Sequence, residues 1–73
     1  MYMVAPKYLG HELKQLRARR RLTQTALAKQ AQLSSIFIAK VEAGQRMPSW
    51  ETLDRLAKVL RVTVRVALVP TGR

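Results

Sequence analysis

The sequence predicts a small all-α domain of four helices, closed by one short C-terminal β-strand. Three observations carry this expectation. Apolar residues recur at helical spacing as far as Leu60. Thr23, Ser34 and Ser49 stand where three of the helices begin, and Ser and Thr are favoured N-caps. From Val62 onward the hydrophobic period changes to two, which marks a strand.

The first helix is expected from near Pro6 to about Arg20. Proline is tolerated at a first helical position because its missing N–H has no partner there. Leu9, Leu13, Leu16 and Arg17 share a face, and Arg19, Arg20 and Arg21 gather at the negative end of the helix. Thr23 caps a second helix, Gln24 to about Gln30, that buries Leu27, Ala28 and Ala31. After the link Ala31-Gln32-Leu33, Ser34 caps a third, Ser35 to Ala43, that buries Ile38 and Val41. Gly44 stands where a helix end calls for a left-handed residue. Ser49 caps a fourth, Trp50 to about Leu60, with Leu53, Leu56, Ala57 and Leu60 inward. Val62, Val64, Val66 and Leu68 share one side of the strand, about 62–69, and Pro70 ends it.

At 73 residues the chain is sized for one domain, 1–73, with a thin core that a partner subunit would reinforce. Fourteen Lys and Arg against four Asp and Glu give a net charge of +10. Such a charge attracts polyanions, nucleic acid first and anionic membrane second. The apolar runs are far too short to span a membrane, and the N-terminus lacks the pattern of a signal peptide. A cytoplasmic, nucleoid-associated protein is expected. With no cysteine and one histidine, His11, neither a disulfide framework nor a metal site is expected. No nucleophile–base pair or phosphate-binding glycine loop stands out, so neither an enzyme nor a cofactor is expected.

The second and third helices, about 23–43, are short and joined by a tight turn. That is the pattern of a helix-turn-helix, whose second helix is narrow enough to enter the major groove of DNA. The string Leu22-Thr23-Gln24-x-x-Leu27-Ala28, then Leu33-Ser34, Ile38, Lys40, Val41-Glu42-x-Gly44, Pro48, Leu53, Leu56-Ala57 and Leu60 resembles the Cro/phage-repressor (XRE-type) family. The resemblance covers about Leu9 to Val62 and implies a lambda-repressor-like fold that binds duplex DNA.

It also implies roles. Gln24 matches a position that contacts phosphate and braces the recognition helix. Ser34, Ser35, Ile36 and Lys40 match groove-facing positions, with Phe37 and Ala39 flanking them. Lys40 would donate either to guanine O6 and N7 or to a phosphate, and Ile36 would meet a thymine methyl. Gln45 and Arg46 match a backbone-contacting stretch. Arg17 and Glu42 match a structural ion pair between the first and third helices. Three positions depart from the family. Gln32 replaces a frequent glycine, so the turn needs a left-handed or an altered geometry there. Ala26 replaces a frequent glutamate, leaving Thr23 without a capping-box partner. Ile36 is apolar where members are often polar.

A lone strand cannot satisfy its own backbone. Only the short tip Tyr2-Met3-Val4 offers a partner within the chain. The expectation is therefore that two copies of 62–69 pair antiparallel, with Val62, Val64, Val66 and Leu68 in a homodimer interface. That would set two recognition helices on a two-fold operator, about 34 Å apart. The layout, from Ala5-Pro6 to the closing Leu60-Arg61-Val62-Thr63-Val64-Arg65-Val66, most resembles HipB-type antitoxins, which implies a HipA-like kinase toxin as a further partner.

The leading expectation is an autorepressor of its own operon. A toxin-inhibiting antitoxin and a charge-driven, non-specific nucleic-acid coat are the alternatives. Elsewhere the plainer readings are preferred. The arginines at 19–21 form a solvated helix end, Trp50 packs in the first turn of its helix, and His11 is a surface or boundary residue of its helix.

Overall fold

The computed structural model describes residues 2–3 and 8–65. Within them the order is β1 (Tyr2–Met3), α1 (Leu9–Arg19), α2 (Gln24–Ala31), α3 (Ser35–Glu42), α4 (Trp50–Leu60) and β2 (Val64–Arg65). Thr23, Ser34 and Ser49 are the N-caps of α2, α3 and α4. Their hydroxyl oxygens accept from the backbone N–H of Ala26 at 2.9 Å, Phe37 at 3.0 Å and Thr52 at 3.2 Å. Thr23 caps α2 without the reciprocal glutamate. α1 begins at Leu9, with Tyr8 as an N-cap that makes no side-chain capping bond. The proline start expected at Pro6 lies outside the described residues.

All four helices end in one way. The residue after the last turn is left-handed, and the next N–H returns to a carbonyl five residues back. Arg21, Gln32, Gly44 and Arg61 take positive φ of 55°, 60°, 78° and 59°. The returning bonds are Leu22 to Arg17 at 3.1 Å, Leu33 to Ala28 at 2.8 Å, Gln45 to Lys40 at 2.8 Å and Val62 to Ala57 at 3.0 Å. A non-glycine residue in this conformation costs about 1–2 kcal/mol. At three ends the following residue is Leu22, Leu33 or Val62, and each packs against the core. Burying such a side chain contributes up to about 1.5–3 kcal/mol, enough to hold the strained turn. Only α3 ends in glycine, and its following residue, Gln45, is polar and exposed.

Leu27, Ile38, Val41 and Leu56 are the most buried large side chains, one or two from each of α2, α3 and α4. Leu9 and Leu13 of α1, Ala28 and Ala31 of α2 and Leu60 of α4 complete the cluster, with Leu16 and Leu53 among the half-buried residues against it. Every inward residue expected for α2 and α3 is buried. Trp50 corrects an expectation. It is 67% exposed rather than packed. At about 100° per residue, Leu53, Leu56 and Leu60 form one stripe and Trp50 falls at its margin, a turn ahead of the buried part.

The C-terminal strand also differs from its expectation. β2 starts at Val64 and pairs in parallel with β1, Tyr2 opposite Val64 and Met3 opposite Arg65. One edge of the strand is therefore satisfied within the chain. Val62 and Val64 line an apolar crevice between α1 and α4 with Leu9, Leu13, Leu56 and Leu60. The left-handed turn at Arg61 turns the chain back toward the core, where Val62 packs half-buried. Val66 and Leu68 lie outside the described residues.

Candidate nucleic-acid interface

α3 is an eight-residue helix with two unlike faces. Ile38 and Val41 point into the core. Ile36 and Lys40, one turn apart, point the opposite way and are exposed, as is Ser35 in the first turn. Phe37 and Ala39 lie half-buried at the flanks. Ile36 is 67% exposed, a large apolar side chain held in water by a helix whose other face is fixed. Ser34 is exposed beside it but occupied as the cap.

The helix is fixed from behind by a polar clamp. Arg17 of α1 donates from Nε to Glu42 Oε2 at 2.6 Å and from Nη2 to Glu42 Oε1 at 3.1 Å. Its remaining arm, Nη1, donates to the Leu22 carbonyl at 2.7 Å. Gln24, at the first position of α2, donates from Nε2 to Glu42 Oε1 at 3.0 Å. One carboxylate thus joins α1, α2 and α3. The side chains of Arg17 and Glu42 retain 15% and 5% of their exposure, so the pair sits largely out of water. The hydrogen bond to Glu42 raises the Arg17 pKa, burial opposes it, and the Glu42 charge adds to the rise. The ion pair is thus present, with Gln24 bonded to the same carboxylate. With its amide on Glu42, Gln24 would turn only its remaining polar capacity toward a phosphate.

Gln45 and Arg46 are exposed in the loop after α3, and Pro48 returns the chain to the interior. The Arg46 guanidinium carbon lies 5.4 Å from the centre of the Phe37 ring. Sequence reasoning placed both residues near the interface but missed their contact. It also missed Gly10. A Cβ there would fall 2.5 Å from the Val41 carbonyl oxygen and 2.6 Å from that of Glu42, so α1 crosses the end of α3 at glycine-only distance. The only available signal was a glycine within a helix, where it costs about 1 kcal/mol relative to alanine.

Arg19, Arg20 and Arg21 are exposed at the end of α1, and His11 is exposed on α1 with Gln15 at 3.2 Å. Among the described residues no helix is long and apolar enough to cross a membrane.

Two short helices joined by a tight αL turn, the second with an exposed outward face, define the helix-turn-helix class of DNA-binding proteins. The model of a family described as "Helix-turn-helix domain" matches residues 8–68, and the chain belongs to that family, in its Cro/phage-repressor (XRE) type. Two relatives come from Bacillus phage phi105. The chain is 38% identical over 56 residues to an immunity repressor protein, covering 77% of itself and 39% of that protein. It is 33% identical over 64 residues to the ImmF control region 10 kDa protein, covering 88% of itself and 71% of that protein. The chain therefore spans well under half the length of the immunity repressor. Among solved structures, the restriction-modification controller protein C.AhdI from Aeromonas hydrophila superposes with a TM-score of 0.75 at 32% identity, over 78% of this chain and 86% of that one.

Proposed function

We infer that the chain is a sequence-specific DNA-binding transcriptional regulator that represses its own operon as a homodimer on a two-fold operator. The observation that carries this is the outward face of α3, Ile36 and Lys40, rigidly backed by Ile38, Val41 and the Arg17–Glu42 clamp. Lys40 donates to a guanine or a phosphate, and Ile36 meets a thymine methyl. Ser35 lies at the groove, and Ala39 lets the backbone come close. Gln24, Ser34, Gln45 and Arg46 take phosphates, which set register and affinity. The net charge of +10 supplies the attraction. The phage repressor and the controller protein support a regulator. Such a protein works in the cytoplasm, on the nucleoid.

A strand has two edges, and β1 covers one edge of β2. Antiparallel pairing of the other edge with a second copy is the proposed dimer contact, with Val62, Val64, Val66 and Leu68 as its apolar side. A HipB-like antitoxin role with a HipA-like kinase partner is the lesser reading, since the relatives named above are a repressor, a control-region protein and a controller.

The test is a footprint on the DNA upstream of the chain's own gene, at physiological salt with excess random competitor. A protected two-fold site is expected. Binding that random DNA removes entirely would mean a charge-driven coat. No binding, with a larger kinase-like protein co-purifying, would favour the antitoxin.

A further inference from the structure

We propose that Phe37 is a positioning residue that holds Arg46 against the DNA backbone, rather than a groove contact itself. This rests on the DNA-binding reading above. The ring is half-buried and packs against the core cluster, so it is anchored from below. Its accessible side carries the Arg46 guanidinium at 5.4 Å, within the range of a cation–π contact. A ring so placed has little surface left for a base.

The local backbone explains why Arg46 reaches that place. α1, α2 and α4 end with an apolar residue that pulls the chain inward. α3 ends with Gly44 and Gln45, so its turn closes on Lys40 at 2.8 Å without an apolar anchor and the chain runs along the surface. Phe37 stands three residues before Lys40, on the neighbouring strip of the helix. Arg46, over the Phe37 ring, is thus held at the flank of the outward face.

An arginine free in a loop would lose side-chain freedom on meeting a phosphate. Stacking removes much of that loss in advance and leaves the N–H groups at the guanidinium edge free to donate. Arg17, the other arginine near α3, is committed to Glu42 and Leu22.

The test measures duplex affinity against salt for wild type, Arg46→Gln, Phe37→Leu, Phe37→Tyr and the Arg46→Gln/Phe37→Leu double variant. Two probes are used, a 30-bp duplex selected by the wild type from a random pool and a 30-bp random duplex. Circular dichroism confirms folding. Arg46→Gln should lower the slope of log affinity on log salt by about 0.9 per bound protomer, on both probes. Phe37→Leu should weaken binding roughly two- to five-fold. Phe37→Tyr keeps the ring and should bind as wild type. In the Arg46→Gln background, Phe37→Leu should add no further loss. An unchanged slope in Arg46→Gln, or losses that simply multiply in the double variant, would overturn the proposal. If Phe37→Leu fails to fold, Phe37→Met, an apolar side chain of similar reach without a ring, takes its place in the cycle with the same expected losses. Failure to select any sequence would sink the sequence-specific reading alone, because the salt slopes on random duplex still report on Arg46.

Discussion

Arg17 and Glu42, twenty-five residues apart, meet through two hydrogen bonds, and the same carboxylate accepts a third from Gln24. α3 is therefore oriented by one carboxylate largely shielded from water. Two elements brace it, and neither belongs to the proposed groove face.

Removing the carboxylate should cost more than the pair itself contributes, because Arg17 is left charged and largely desolvated. A chain of 73 residues has a typical stability of about 4–11 kcal/mol. Glu42→Ala is expected to lose about 3 kcal/mol of it. Arg17→Lys should lose about 1–2 kcal/mol, because an ammonium cannot reproduce the fork to Glu42 and the arm to Leu22 together. Urea unfolding measures both.

The pH dependence follows from the direction of the Arg17 shift. Its folded pKa is raised, so its stabilising contribution is fully present below the unfolded value and is lost only as pH rises through the folded one. Both lie at the far alkaline end for an arginine. The difference in urea midpoint between wild type and Arg17→Gln should therefore be the same at pH 7 and pH 10. A difference that shrinks over this range would show that the pair is not held as described.

Gly10→Ala should destabilise the fold by about 1–3 kcal/mol, because backbone carbonyls of α3 occupy the place of the new methyl. Thermal unfolding is the measurement. A neutral result would mean that α1 and α3 separate freely.

The left-handed turns give a paired prediction. Gln32→Gly relieves an exposed αL residue and should stabilise by about 0.5–1 kcal/mol, after the entropy cost of glycine in the unfolded chain. Gly44→Ala, at a φ of 78° with open space around it, should destabilise by about 1 kcal/mol through backbone strain alone. Comparing the two melting temperatures checks both signs.

Much of this was legible in the sequence. Thr23, Ser34 and Ser49 mark helix starts because a hydroxyl at that position satisfies an otherwise unpaired N–H, a local property. Ile38 and Val41 mark the inner face of α3 through spacing alone. At Gln32 the family pattern leaves a left-handed or an altered turn open, and the residue takes the left-handed one. What escaped depends on the path of the chain between elements. The parallel pairing of Tyr2–Met3 with Val64–Arg65 joins the two ends of the sequence. The Arg46–Phe37 contact depends on where the loop runs. A place in the first turn of an amphipathic helix predicts a packed Trp50, but the stripe of that helix is centred away from it.

Ile36 and Lys40 carry the central claim, that the outward face of α3 reads duplex sequence. The most direct measurement is selection from a random duplex pool at physiological salt, with wild type, Ile36→Ser and Lys40→Ala run side by side and circular dichroism confirming equal folding. The wild type should enrich a two-fold motif. Ile36→Ser should lose a thymine preference within it, and Lys40→Ala should bind the motif about ten-fold or more weakly, as expected for losing a base contact of roughly 1–3 kcal/mol. An identical motif and affinity in all three would contradict the claim and place recognition away from α3.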